Sequence, residues 1–252
     1  MRECYKLGFT LIELIVAIAI IAVIAAVTIP SIATGAQNRK LAASLGRSVE
    51  TVESGCRMLI QDMSEKSTDG EFIGHFSINK ALDGSDINNA PEDSVSANDG
   101  LFANAPEYFN VMQLSADKKA DYESRVRSFA MTTPSPALSE IAGKYSMNTK
   151  LGAYFGVKSN KVATTTISDP IVEYVYIDVN GEASPNRYGL DIFLFGLSDR
   201  CYMIPAGSSV FKKYKSSIDL ATNSCDGNSV TNGLSCTSRV IKDGYKINYR
   251  KQ

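Results

Sequence analysis

The 252 residues suffice for one good-sized core or two small ones, with 44% of them apolar and 21% charged. A formal net charge of −1 supplies no basic field of the kind a nucleic-acid partner demands. Tryptophan is absent, and the single histidine, His75, is a poor start for a metal or catalytic centre and suits a solvated surface position.

The first element is an apolar run within "KLGFTLIELIVAIAIIAVIAAVTIP", Lys6 to Pro30. Phe9 to Ile29 is 21 residues, just enough helix for a hydrocarbon core of roughly 30 Å. Three readings compete. A secretory signal has a shorter apolar region and ends at a small-x-small site, so it fits poorly. A plain single-span anchor leaves Glu13 unexplained, since a charge deep in a bilayer costs about 2.5–3.5 kcal/mol even on the lenient scale. A cut between Gly8 and Phe9 explains most. It sets a new α-amino group one helical turn before Glu13, where it can also meet Glu13 of a neighbouring helix. Such a pair neutralises both charges and fixes the register between subunits. Flanking charge does not settle orientation, because Arg2 and Lys6 precede the run and Arg39 and Lys40 follow it.

These residues resemble the amino terminus of type IV pilins and of the pseudopilins of type II secretion: a short basic leader ending in Gly8, then Phe9, then Glu13 at the fifth mature position, with Pro30 where the family often has a helix-loosening proline. The resemblance covers about the first 30 residues closely. It implies cleavage after Gly8 by a prepilin peptidase, N-methylation of Phe9, and subunit assembly through Glu13. It also implies a non-enzymatic subunit, single-pass in the inner membrane with its head outside the cytoplasm. The implied partners are the lipid bilayer, an inner-membrane assembly platform, and other copies of the chain or related pilins. The implied end state is a surface or periplasmic filament.

After Pro30 the pattern turns amphipathic. Leu41, Leu45, Val49, Val52, Cys56, Leu59 and Met63 recur at spacings of three and four, which predicts a helix with one buried face. Gly35, Gly46 and Gly55 each weaken that helix by roughly 1 kcal/mol relative to Ala. "STDGEF" at 67–72 ends the pattern, and residues 79–100, rich in Asn, Asp, Ser and Gly, read as an exposed loop. Helices are expected over Asp117–Met131 and Ser135–Tyr145. Strand signal begins near Val162 with "VATTTI" and continues through "IVEYVYIDV" and "LDIFLF". The expected fold is α+β: a long N-terminal helix packed on an antiparallel sheet head, with a helical and loop insertion between them. Its parts are a leader at 1–8, an assembly helix at 9–30, an amphipathic helix at 31–66, a variable insertion at 67–160, and the sheet with the C-terminal region at 161–252.

Asp178, Asn180 and Asp191 put oxygen ligands on and near one tight turn, marked by Asn180-Gly181. They are calcium candidates, but the EF-hand pattern fails because the twelfth position from Asp178 is Gly189. Asp and Asn also cap local backbone in turns, and turn chemistry outweighs a metal here. No cofactor is otherwise implied. No G-x-S-x-G, phosphate-cradling loop or paired-cysteine zinc pattern occurs, so an exported enzyme has no visible catalytic set.

The five cysteines are Cys4, Cys56, Cys201, Cys225 and Cys236. Removing the leader leaves an even number, as in disulfide-bonded exported domains. Cys225 and Cys236 enclose "DGNSVTNGLS", a polar stretch that buries little and gains about 3 kcal/mol from closure on the chain-entropy model. Cys56 and Cys201 are left open between a bridge and a pair of core thiols. "CTSRVIKDGYKINY" predicts a short helix or turn stopped at Gly244 and a chain end docked on the head, as in some pilin-like proteins.

Overall fold

The computed structural model describes residues 10–65, 106–127, 144–149, 152–159, 171–198, 200–213, 225 and 233–247. The chain divides into two compact units, Met1–Lys40 and Leu41–Gln252. Helix α1 (Leu11–Glu65) is continuous through Pro30.

In the first unit, exposed apolar side chains lie on every side of α1 between Leu11 and Ile24. Leu11, Ile12, Leu14, Ile15, Ile18, Ile21 and Ile24 are each more than half exposed, so this stretch shows no core-facing stripe among the described residues. Among the described residues, no helix is long and apolar enough to cross a membrane. The span expected over 9–30 includes positions outside the described ones.

The second unit begins where the spacing becomes selective. Leu41, Leu45, Val52, Cys56 and Leu59 are buried and Val49 partly so, while Arg47, Glu50 and Arg57 face solvent. Each buried leucine or valine contributes about 1.5–3 kcal/mol. The stripe packs on a six-stranded antiparallel meander, β1 (Val111–Gln113), β2 (Lys144–Thr149), β3 (Tyr154–Ser159), β4 (Ile171–Asp178), β5 (Ile192–Ser198) and β6 (Met203–Pro205), in spatial order β1 to β6. Short helices are α2 (Pro106–Phe109), α3 (Ala116–Arg125), α4 (Ser209–Lys213) and α5 (Cys236–Lys242).

Side chains alternate across the sheet. Phe155, Val157, Val175, Ile177, Phe193, Phe195 and Leu197 share one core with α1 and with Val240 of α5. Tyr154, Tyr174, Tyr176, Ile192 and Leu194 face the other way, onto Tyr122 of α3 and Phe211 of α4. Both faces are covered, which is why "YVYI" and "IFLF" read as unbroken apolar runs.

Three strands lie ahead of the expected strand onset near Val162, in the stretch read as helical and loop. β2 is "KYSMNT", with little β-branched content, and its place comes from pairing with β3, Asn148 opposite Tyr154. The helix expected over Asp117–Met131 stops at Arg125. Val126 turns extended, and the chain bonds instead across to the 186–188 segment, with Arg127 N donating to Asn186 O at 2.8 Å and Tyr188 N to Arg127 O at 3.1 Å. Of the helix expected over Ser135–Tyr145, Lys144 and Tyr145 open β2 and the rest lies outside the described residues, as do the 79–100 loop, "STDGEF", "VATTTI", Cys4 and His75. The C-terminal helix ends as expected: Gly244 has φ 68°, Tyr245 N donates to Val240 O at 2.8 Å, and Ile247 is buried in the α1-side core.

Two glycines of α1 differ in role. A Cβ on Gly55 would lie 2.6 Å from both Tyr108 O and Phe109 Cδ1, so its bareness lets α2 approach. A Cβ on Gly46 would meet the Tyr245 ring at an ordinary 3.6 Å. Gly55→Ala should therefore destabilise the chain by about 1–3 kcal/mol, and Gly46→Ala should stabilise it by up to about 1 kcal/mol. Denaturant midpoints of the two variants in detergent check this; a shift of the same sign in both removes the distinction.

Candidate functional site

The first turn of α1 is set by its own sequence. Thr10 N and Thr10 Oγ1 both donate to Glu13 Oε2, each at 2.8 Å, and Glu13 N donates back to Thr10 Oγ1 at 3.3 Å. This is a reciprocal capping box, Thr-x-x-Glu, and it fixes the helix start at Leu11. The expectation for Glu13 concerned the amine of Phe9, in its own chain or on a neighbouring helix. Thr10, the local partner, was legible in the same four letters and was not singled out. Gly8 and Phe9, the expected cleavage and methylation positions, lie outside the described residues.

The second cluster is the turn between β4 and β5. Asp178 and Asp191 are fully buried. Asp178 Oδ1 accepts from Asn180 N at 3.0 Å and Gly181 N at 2.9 Å, and Oδ2 accepts from the Tyr122 hydroxyl. Asp191 Oδ1 accepts from Arg187 N at 2.6 Å and Oδ2 from Asn186 N at 2.8 Å. Asn180 Nδ2 donates to Ala183 O at 2.9 Å, while its buried Oδ1 has no hydrogen-bond partner among the described residues. All four oxygens of the acid pair thus clasp the chain's own donors, which is turn chemistry. Among the described residues no group of three or more His, Cys, Asp or Glu side chains is placed to hold a metal ion. Gly189, at φ 80°, completes the turn; a Cβ there would lie 2.9 Å from Cys236 Sγ, so the turn sits directly against the C-terminal helix.

Burial pushes both carboxyls up, Asp191 to about 6 and Asp178 well above the usual carboxylate range, with the charge of Asp191 adding to the latter. Burial and the neighbouring Asp178 also hold Tyr122 protonated. A carboxyl whose pKa is raised by folding stabilises the fold below its unfolded value, near 3.8, and loses that contribution as pH rises through about 6. The melting temperature should therefore rise between pH 8 and pH 5, on the order of 5 °C for a shift of this size. Asp191→Asn should flatten that slope, read by calorimetry against the parent; an unchanged slope removes Asp191 as its source.

The third cluster ties the β5–β6 hairpin to α1. Cys201, at φ 63°, places its Sγ 1.95 Å from that of Cys56, with Cα atoms 5.6 Å apart. One turn earlier on the helix, Glu53 Oε1 accepts from Met203 N at 3.0 Å, and Arg57 lies 5.8 Å over the Tyr202 ring. Positions 53, 56 and 57 share one helical face. Cys225 and Cys236 also meet at bonding distance, 2.15 Å between sulfurs and 5.0 Å between Cα atoms.

Residues 5–29 match the model of the prokaryotic N-terminal methylation motif. That segment is the prepilin-type cleavage and methylation segment of type IV pilins and pseudopilins. The match covers this amino-terminal segment alone, and it supports a precursor of pilin or pseudopilin type. The α+β head of helix on antiparallel sheet is consistent with a pilin-like head. No curated protein and no solved structure matches the chain.

Proposed function

We propose that the chain is a structural pilin-like subunit, cut between Gly8 and Phe9, N-methylated on Phe9, held in the inner membrane by residues 9–30 and polymerised through that helix into a type IV pilus-like filament. The observation that carries this is the methylation motif at residues 5–29 coinciding with a helix whose described apolar side chains are exposed. Such a surface needs lipid or other copies of itself to cover it. Glu13 supplies the register between copies by meeting a neighbour's amine. The head, with the Cys225–Cys236 crosslink, stays outside the cytoplasm, and the 67–160 segment gives the subunit its individual surface.

Intact-mass measurement of the mature protein from its native membranes is the test. A chain beginning at methylated Phe9 is the expected result. A chain still beginning at Met1, or one trimmed after Ala26, overturns the reading.

A further inference from the structure

We propose that the Thr10 hydroxyl is the holding partner of the Glu13 carboxylate in the unassembled subunit, given up on assembly for the amine of a neighbouring Phe9. The inference rests on the pilin-like reading above and adds to it a state that the filament does not contain.

A lone subunit in a bilayer has a problem that the filament solves only later. Its carboxylate lies in apolar surroundings without a neighbour's amine to pair with, and an unsatisfied charge there is costly. The structure supplies two donors from the chain itself, Thr10 N and Thr10 Oγ1, both at 2.8 Å and both on the same oxygen, Oε2. These are neutral donors to a charged acceptor. They lower the cost of the charge without cancelling it. An ammonium from a neighbour brings the opposite charge as well as hydrogen bonds, so it displaces the hydroxyl from Oε2.

The hydroxyl is the dispensable member of the pair. Thr10 N is a backbone group at the helix start, and no substitution other than proline removes it. Thr10 Oγ1 can turn away about χ1 once a stronger donor arrives. Thr28, further along the helix, shows where a threonine hydroxyl goes when no carboxylate is near: it donates to Ile24 O, four residues back, at 2.9 Å. Thr10 stands just ahead of the first helical residue, Leu11, and its hydroxyl goes forward to Glu13 instead.

A bond present only before assembly stabilises the unassembled state, and losing it shifts the balance toward the filament. Thr10→Val removes the hydroxyl and keeps shape and backbone donor; Thr10→Ser keeps the hydroxyl. In full-length chains expressed in the native membrane, the Val variant should show a smaller unassembled pool. Its filament-to-pool ratio should rise on the order of tenfold, the worth of one hydrogen bond to a charged group. The Ser variant should restore both. A merely structural cap predicts otherwise, with pool and filament falling together. A ratio that is unchanged or lower in the Val variant overturns the exchange. Glu13→Ala, run alongside, separates the two claims. A parent chain that yields no filament sinks the pilin-like reading itself, wild-type filaments from Glu13→Ala sink the register role of Glu13 on which the exchange rests, and blocked filaments with an unresponsive Val variant sink only the holding role of Thr10.

Discussion

Glu13→Ala is expected to insert in the membrane at wild-type levels and to yield no ordered filaments. Removing the carboxylate makes the helix more apolar, so insertion does not suffer. Assembly loses the partner of the Phe9 amine, which is then buried unpaired at every subunit. Breaking one side of a buried ion pair costs about 3–5 kcal/mol. The capping box is lost too, at about 1 kcal/mol, and a second variant separates these effects. Glu13→Gln keeps an acceptor at the N3 position, so the box survives without its charge. If charge pairing sets the register, the Gln variant fails like the Ala variant. Membrane fractionation beside electron microscopy of sheared filaments reads both. Filaments from the Gln variant at wild-type abundance would show that the acid serves the helix cap alone.

What the sequence disclosed follows the range of the interactions. The stripe from Leu41 to Leu59 was legible because helical spacing is local and the side chains on it face one core. β4 and β5 were legible because β-branched and aromatic residues crowd them. β1 to β3 were not, because "KYSMNT" owes its strand state to the partner beside it. The early stop of α3 depends on Arg127 bonding to Asn186 and Tyr188, far along the chain. The same holds for the acid turn. Asn180-Gly181 announced a turn, but nothing in the letters announced that Tyr122 would close it on Asp178 from 56 residues away. Thr10 is a different case: the Thr-x-x-Glu box is local and readable, and a long-range role for Glu13 drew attention past it.

The pairing of Cys56 with Cys201 illustrates that limit, and it carries the largest expected effect on stability. Four cysteines allow three connectivities, and spacing alone does not choose among them. The fold chooses, because the hairpin at Cys201 is drawn to α1 by contacts on either side, Met203 N to Glu53 Oε1 and Arg57 over Tyr202. A bridge spanning 145 residues removes far more unfolded-state freedom than one spanning 11. On the chain-entropy model these amount to about 5 and about 3 kcal/mol. Replacing Cys56 and Cys201 together with alanine should thus lower stability more than replacing Cys225 and Cys236 together. The hairpin tip should also loosen, since Cys201 holds a left-handed backbone conformation that its crosslink helps maintain. Non-reducing peptide mapping of the parent should give Cys56–Cys201 and Cys225–Cys236 as the linked pairs. Denaturant unfolding of the two double variants should then place the Cys56/Cys201 midpoint lower. Free thiols at all four positions in protein from its native compartment, or equal midpoints for both variants and the parent, would leave the hairpin held by Glu53 and Arg57 alone.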